Sequence, residues 1–118
     1  MNTQTALPSL DGRTFRMISS TTSAVNPDAP SVFHYFEKDG VVWGDYLGDT
    51  VTFGRFVGTR TGDVISISFV HVLVADGSVV TGSGDSDIEQ GENGLRLVEH
   101  YEMHGEPQLS ICAEVTEG

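Results

Sequence analysis

Short segments in which apolar and polar residues alternate recur along the whole chain, and polar breaks containing glycine separate them. The breaks fall at Lys38-Asp39-Gly40, Gly48-Asp49, Thr61-Gly62-Asp63, Ala75-Asp76-Gly77 and Glu92-Asn93-Gly94. Gly, Asn and Asp suit tight turns because they tolerate positive φ or hydrogen-bond their own backbone. A period-2 pattern interrupted this often favours no long helix and predicts an antiparallel β-meander. With about eight strands in 118 residues, the meander is expected to close into an all-β, up-and-down barrel. That size is just wide enough for side chains or one small ligand. One domain spans residues 1–118, with 1–8 expected as a frayed lead-in.

Strands are expected at Leu10 to Ser20, Ser31 to Glu37, Gly40 to Leu47, Val51 to Thr59, Asp63 to Ala75, Ser78 to Ser86, Leu95 to Met103 and Leu109 to Glu117. The segment Ser19 to Pro30, rich in Ser, Thr, Asn, Asp and Pro, reads as a long loop at one mouth of the barrel. Gly44, Gly54 and Gly58 fall inside strands, where glycine marks bends or close backbone approach. Phe33 and Tyr35 share one face of their strand and Val32, His34 and Phe36 the other, so both faces carry bulk. The inward parity is therefore open, and a slip of one residue exchanges Trp43 for Tyr46, or Arg96 for Glu99, in the lumen.

Six basic residues against seventeen acidic ones give a formal net charge of −11. Such a field repels phosphate backbones and anionic bilayers, so neither nucleic acid nor membrane is an expected partner. Cys112 is the single cysteine, which precludes an intramolecular disulfide, and Met1 to Leu10 lacks the basic and apolar regions of a signal peptide. A cytoplasmic location is expected.

Arg13, Arg16, Arg55 and Arg96 lie within predicted strands, whereas Arg60 and Lys38 lie in predicted turns. An arginine inside a strand needs a partner. Either Arg55 or Arg96 grips a carboxylate ligand bidentately in the lumen, or these residues form structural ion pairs. Trp43, Tyr46, Phe53, Phe56, Phe69 and Tyr101 make either a stacking wall for a flat apolar ligand or a packed core. Glu99, His71 and Tyr101 are the groups on which acid/base chemistry would rest.

Metal binding is poorly supported. His100 and His104 stand ~13 Å apart in an extended strand, and His34 and His71, which can meet across the barrel, lack a third ligand. Asp85-Ser86-Asp87-Ile88-Glu89 opens like a calcium loop but has Gln90 where the sharp bend needs glycine, so an acidic hairpin loop is expected there. Neither a nucleophile elbow nor a phosphate-binding loop occurs, and Cys112 sits mid-strand as inert packing. No cofactor, metal or catalytic set is expected.

At Phe33-x-Tyr35, Val42-Trp43-Gly44-Asp45-Tyr46-x-Gly48, Gly54-Arg55-x-Val57-Gly58, Thr81-Gly82-x-Gly84-x-Ser86 and Gly94-Leu95-Arg96-Leu97-x-Glu99-x-Tyr101, the chain resembles a family of short bacterial proteins of unknown function. The resemblance runs from about Leu10 to Val115. Some members carry the label N-acetylglutamate synthase, an acetyl-CoA-dependent activity; the helices and pyrophosphate-binding loop it needs are not seen in this sequence. Where that family tends to place Trp in the last motif, this chain has Tyr101 and Met103. At the level of fold the meander also looks like the calycin and avidin barrels, a resemblance that implies carriage of small apolar or ring-shaped ligands.

Three readings follow. In the first, a small apolar or carboxylate ligand enters near the Ser19 to Pro30 loop, stacks on Trp43 and Tyr46, and is anchored by Arg55 or Arg96, with His71, Glu99 and Tyr101 as further contacts. In the second, the barrel has a solid core and its outer face makes a homodimer or larger oligomer. In the third, the protein is an enzyme working through Glu99, His71 or Tyr101.

Overall fold

The computed structural model describes residues 7–20, 30–48, 50–92, 94–103 and 105–115, with the Met103 side chain left aside. The chain runs through β1 (Arg13–Ser20), β2 (Val32–Lys38), β3 (Val41–Gly48), β4 (Val51–Thr61), β5 (Val64–Leu73), β6 (Val79–Gly91), β7 (Gly94–Met103) and β8 (Glu106–Glu114). Each strand pairs antiparallel with its neighbour in sequence, and β8 pairs with β1 to close the barrel. Short turns join β2 through β8 in sequence order, and the longer connection between β1 and β2 keeps them neighbours as well. Asp39 and Gly40 both take positive φ, 52° and 79°, as the two-residue hairpin turn between β2 and β3 requires.

Several boundaries differ from the sequence expectation. The acidic run Asp85 to Glu89 lies inside β6, not in a hairpin loop. Period-2 order persists there because Asp85, Asp87 and Glu89 point out while Ser86 and Ile88 are buried. Arg60 belongs to β4 rather than to a turn. Strand β8 begins at Glu106 and takes in Pro107, which is tolerated near a strand's first residue. Leu7 and Pro8, expected in a frayed lead-in, are hydrogen-bonded to the barrel; residues 1–6, and residues 21–29 of the expected mouth loop, lie outside the described residues.

Inward-facing residues separate into two zones along the barrel axis. Leu10, Phe15, Val42, Ile65, Ile88 and Leu95 pack the end where β1, β3, β5 and β7 begin. At roughly 25 cal/mol per Å² of buried apolar surface, this plug supplies much of the drive to fold. At the same end, beside the turns, Arg60, its side chain only 6% exposed, forms a floor. Its Nε donates to Gly62 O, Nη1 to Pro8 O and Glu37 Oε1, and Nη2 to Leu7 O and Asp63 Oδ1. All five guanidinium N–H positions are thus used. Glu37 Oε1 also accepts from the Leu10 amide, and Asp63 Oδ1 from the Leu7 amide. Arg13 reinforces the same end by its 2.6 Å contact with Glu114.

Candidate functional site

The other zone is hollow. From the middle of the barrel to the end where β2, β4, β6 and β8 begin, the lumen holds a cavity of about 680 Å³. The hollow lumen accords with the first of the three readings, a barrel able to hold a small ligand, rather than with the alternative of a solid core. Its origin lies in which residues point inward. On β6, Val80, Gly82, Gly84 and Ser86 face the lumen, and on β8 Ser110 and Cys112 do, so half the wall is built of small groups. The other half, from β2 to β5, carries the rings of Phe33, Tyr35, Tyr46, Phe56 and Phe69.

Glycine opposite an aromatic ring makes this packing possible. Gly54 pairs with Tyr46, and a Cβ there would stand 2.5 Å from the ring; Gly82 pairs with Phe69, and a Cβ there would stand 2.6 Å away. The rings lie across the space a side chain would occupy. They also contact one another: Phe33 stacks on Tyr46 at 4.8 Å, Tyr35 tilts against Phe56 at 4.6 Å, and Phe69 stacks on His71 at 5.8 Å. Tyr46 Oη and His71 Nδ1 share a 2.6 Å hydrogen bond that fixes the ring nearest the mouth. Burial lowers the pKa of His71 and raises that of the Tyr46 phenol, so both are held neutral.

Across from the rings runs a polar row. Cross-strand register places Ser86, Glu99, Ser110 and Ser20 side by side on β6, β7, β8 and β1. Ser110 Oγ lies 3.3 Å from both Ser20 Oγ and Tyr101 Oη. Glu99 lines the cavity and, among the described residues, has neither a hydrogen bond nor an ion pair. Burial lifts its carboxyl pKa to about 7. The Glu99 charge in turn adds to the burial that raises the pKa values of Tyr35, Tyr46 and Cys112.

Of the residues singled out in the sequence, Tyr46, His71, Glu99 and Tyr101 meet in this cavity. Trp43, Arg55 and Arg96 do not. Trp43 is 41% exposed and stacks on Phe36 on the outer surface. Arg55 also points outward and lies over the Phe53 ring at 4.2 Å. Arg96 packs its stem along Gly91, and its Nε is buried without a partner. The lumenal anchor for a carboxylate ligand is thereby lost, because the inward parity of β3, β4 and β7 belongs to Tyr46, Phe56 and Glu99. His34 and His71 lie on opposite faces and cannot meet; His34 instead contacts Asp45 on the outer surface.

Sequence reasoning left Phe33, Tyr35, Ser86 and Ser110 out of the site. The one available signal was Phe33-x-Tyr35, two rings at strand spacing on a single face. Glu99, His71 and Tyr101 do share one cavity, but among the described residues no hydrogen bond joins Glu99 to either of the others.

A family model described as avidin-like protein matches residues 8–115. The match covers the entire barrel, including both the floor and the hollow zone. No curated protein and no solved structure matches the chain.

Proposed function

The chain belongs to the avidin-like protein family, and from that membership together with its hollow lumen we propose that it binds a small organic molecule inside the barrel. The observation that carries this reading is the 680 Å³ cavity, walled by aromatic rings on one side and by an unpartnered carboxylate among serines on the other. Binding pockets have this makeup: mostly apolar surface for affinity and a few fixed polar groups for orientation. Tyr46 and Phe33 offer a stacked face, while Tyr101, Ser110 and Ser86 offer hydroxyls. The apolar part of the ligand class expected from the sequence is retained, and the carboxylate part loses its support.

Native mass spectrometry of gently purified protein is the test. A reproducible non-covalent adduct that a Leu73→Trp substitution at the mouth weakens would support the reading. A bare mass, together with no response of lumenal resonances to a panel of small aromatic compounds, would end it.

A second reading is favoured by the outer face of β2 to β4. Phe36, Trp43 and Val57 form a cross-strand row, each between 38% and 55% exposed. We propose that a second copy of this chain covers it. Two molecules of net charge −11 repel over most of their surface, and this row is uncharged, so approach is least opposed there. Light scattering that reports a monomer at high concentration would exclude the homodimer.

A further inference from the structure

Resting on the reading of the lumen as a binding site, we propose that its ligand is an organic cation, a quaternary or protonated amine with an apolar body, whose charge meets Glu99 and whose body lies on the rings of Phe33, Tyr46, Phe56 and Phe69. Three observations converge on this class. First, Glu99 is partly buried and lines the cavity with no hydrogen bond or ion pair among the described residues, and a carboxylate drawn away from bulk water is unfavourable unless a cation or several donors approach it. Its cross-strand neighbours, Ser86 and Ser110, supply at most two hydroxyls.

Second, the described cationic side chains are committed elsewhere. Arg60 spends all five donors on the floor and Arg13 contacts Glu114 at the same end. Arg16, Arg55, Arg96 and Lys38 do not line the cavity. An anionic ligand would therefore meet Glu99 with no compensating positive charge, whereas a cation would provide it. Third, the opposite wall is built from aromatic faces, whose quadrupoles are negative and attract a cation within about 6 Å of the ring centroid. A net charge of −11 raises the local concentration of any cation before it enters.

The same arrangement couples binding to a proton. The titratable groups lining the cavity are Tyr35 on β2, Tyr46 on β3, His71 on β5, Glu99, Tyr101 and Glu102 on β7 and Cys112 on β8; β1, β4 and β6 contribute none among the described lining residues. Burial keeps Tyr35, Tyr46 and Cys112 protonated and His71 neutral. With a carboxyl pKa of about 7, Glu99 in the empty barrel is partly protonated near neutrality, and a cation binds its ionised form and displaces the proton to solvent. Affinity for a quaternary ammonium, which cannot itself titrate, should then rise about tenfold from about pH 6 to about pH 8.

The experiment is calorimetric titration of the full chain with benzyltrimethylammonium, alongside binding of its neutral carbon isostere, neopentylbenzene, followed by NMR. We expect the cation to bind more tightly, with proton release seen as a buffer-dependent heat, and Glu99→Gln to abolish both the preference and the pH dependence. The Glu99→Gln fold is checked by its circular dichroism, and Arg55→Met, on the outer face, serves as the variant expected to bind as the parent does. Equal binding of cation and isostere, or a pH profile unchanged by Glu99→Gln, overturns the cation class while the lumenal site stands. If neither compound binds at millimolar concentration, both the cation class and the lumenal site fall.

Discussion

Arg60 and Glu99 are both ionisable, both inward-facing and both set within strands of one barrel, yet one is saturated with partners and the other, among the described residues, has neither a hydrogen bond nor an ion pair. The difference separates a charge committed to the fold from one left open to the lumen. At the floor, a guanidinium with five filled donor positions ties β4 to β2, β5 and the chain before β1, and nothing is left over for a ligand. Midway up the lumen, a partly buried carboxylate lines the cavity beside two serines, with its pKa raised by burial.

Removal of Arg60 is the most damaging way to break this contrast. Arg60→Met leaves the Glu37 and Asp63 carboxylates with only their backbone amide donors and takes the guanidinium from three carbonyls, and should cost about 3–5 kcal/mol in urea unfolding. Arg60→Lys should recover only part of that, since an ammonium cannot reproduce the planar fork. A loss below about 1 kcal/mol would mean the floor contributes little.

Glu99 should behave in the opposite sense. Its folded pKa is raised from an ordinary value near 4.5 to about 7, so the native state holds the proton more tightly than the unfolded one. Its contribution is most favourable to folding below the unfolded pKa, is lost as pH rises through that window, and is level above it. Glu99→Gln should therefore gain stability over the parent by roughly 2–3 kcal/mol between about pH 4.5 and about pH 7. Parallel stability curves for the two proteins would refute the buried, unpartnered carboxylate.

A smaller effect tests the wall between these charges. Gly54→Ala places a methyl against the Tyr46 ring and should cost about 1–3 kcal/mol by overpacking, with the lumenal resonances of Tyr46 and His71 displaced. The smallest change is expected outside: Arg55→Met removes a surface contact with Phe53 and should alter stability by no more than about 0.5 kcal/mol. A large loss there would return Arg55 to the list of structural charges.

The meander was readable because its signals are local. Turn chemistry at Asp39-Gly40 and alternation along Ile65, Ile67, Phe69 and His71 need only neighbouring residues to interpret, and the closed order of eight strands follows from them. Parity was not readable where the rule that large apolar residues point inward fails. In Val42-Trp43-Gly44-Asp45-Tyr46 the tryptophan faces out and a glycine faces in, because the Phe56 ring from β4 and the His34 carbonyl of β2 already occupy the space a side chain at Gly44 would take. Arg60 was misplaced for a related reason. Its partners Glu37 and Leu7 lie 23 and 53 residues away, so nothing in its own neighbourhood marks it as buried. Glu99 was singled out in the sequence with His71 and Tyr101 as a candidate site residue; its isolation is a property of what surrounds it in three dimensions.

The floor also has a kinetic meaning. With Arg60, Leu10 and the apolar plug filling one end, a ligand bound as proposed and the water it displaces would, among the described residues, share the opposite end, lined by Ser20, Ser31, Leu73 and Glu102. Exchange in such a dead-end chamber is set by how readily that end clears, so residence time can be tuned at the rim without altering a single contact that holds the ligand.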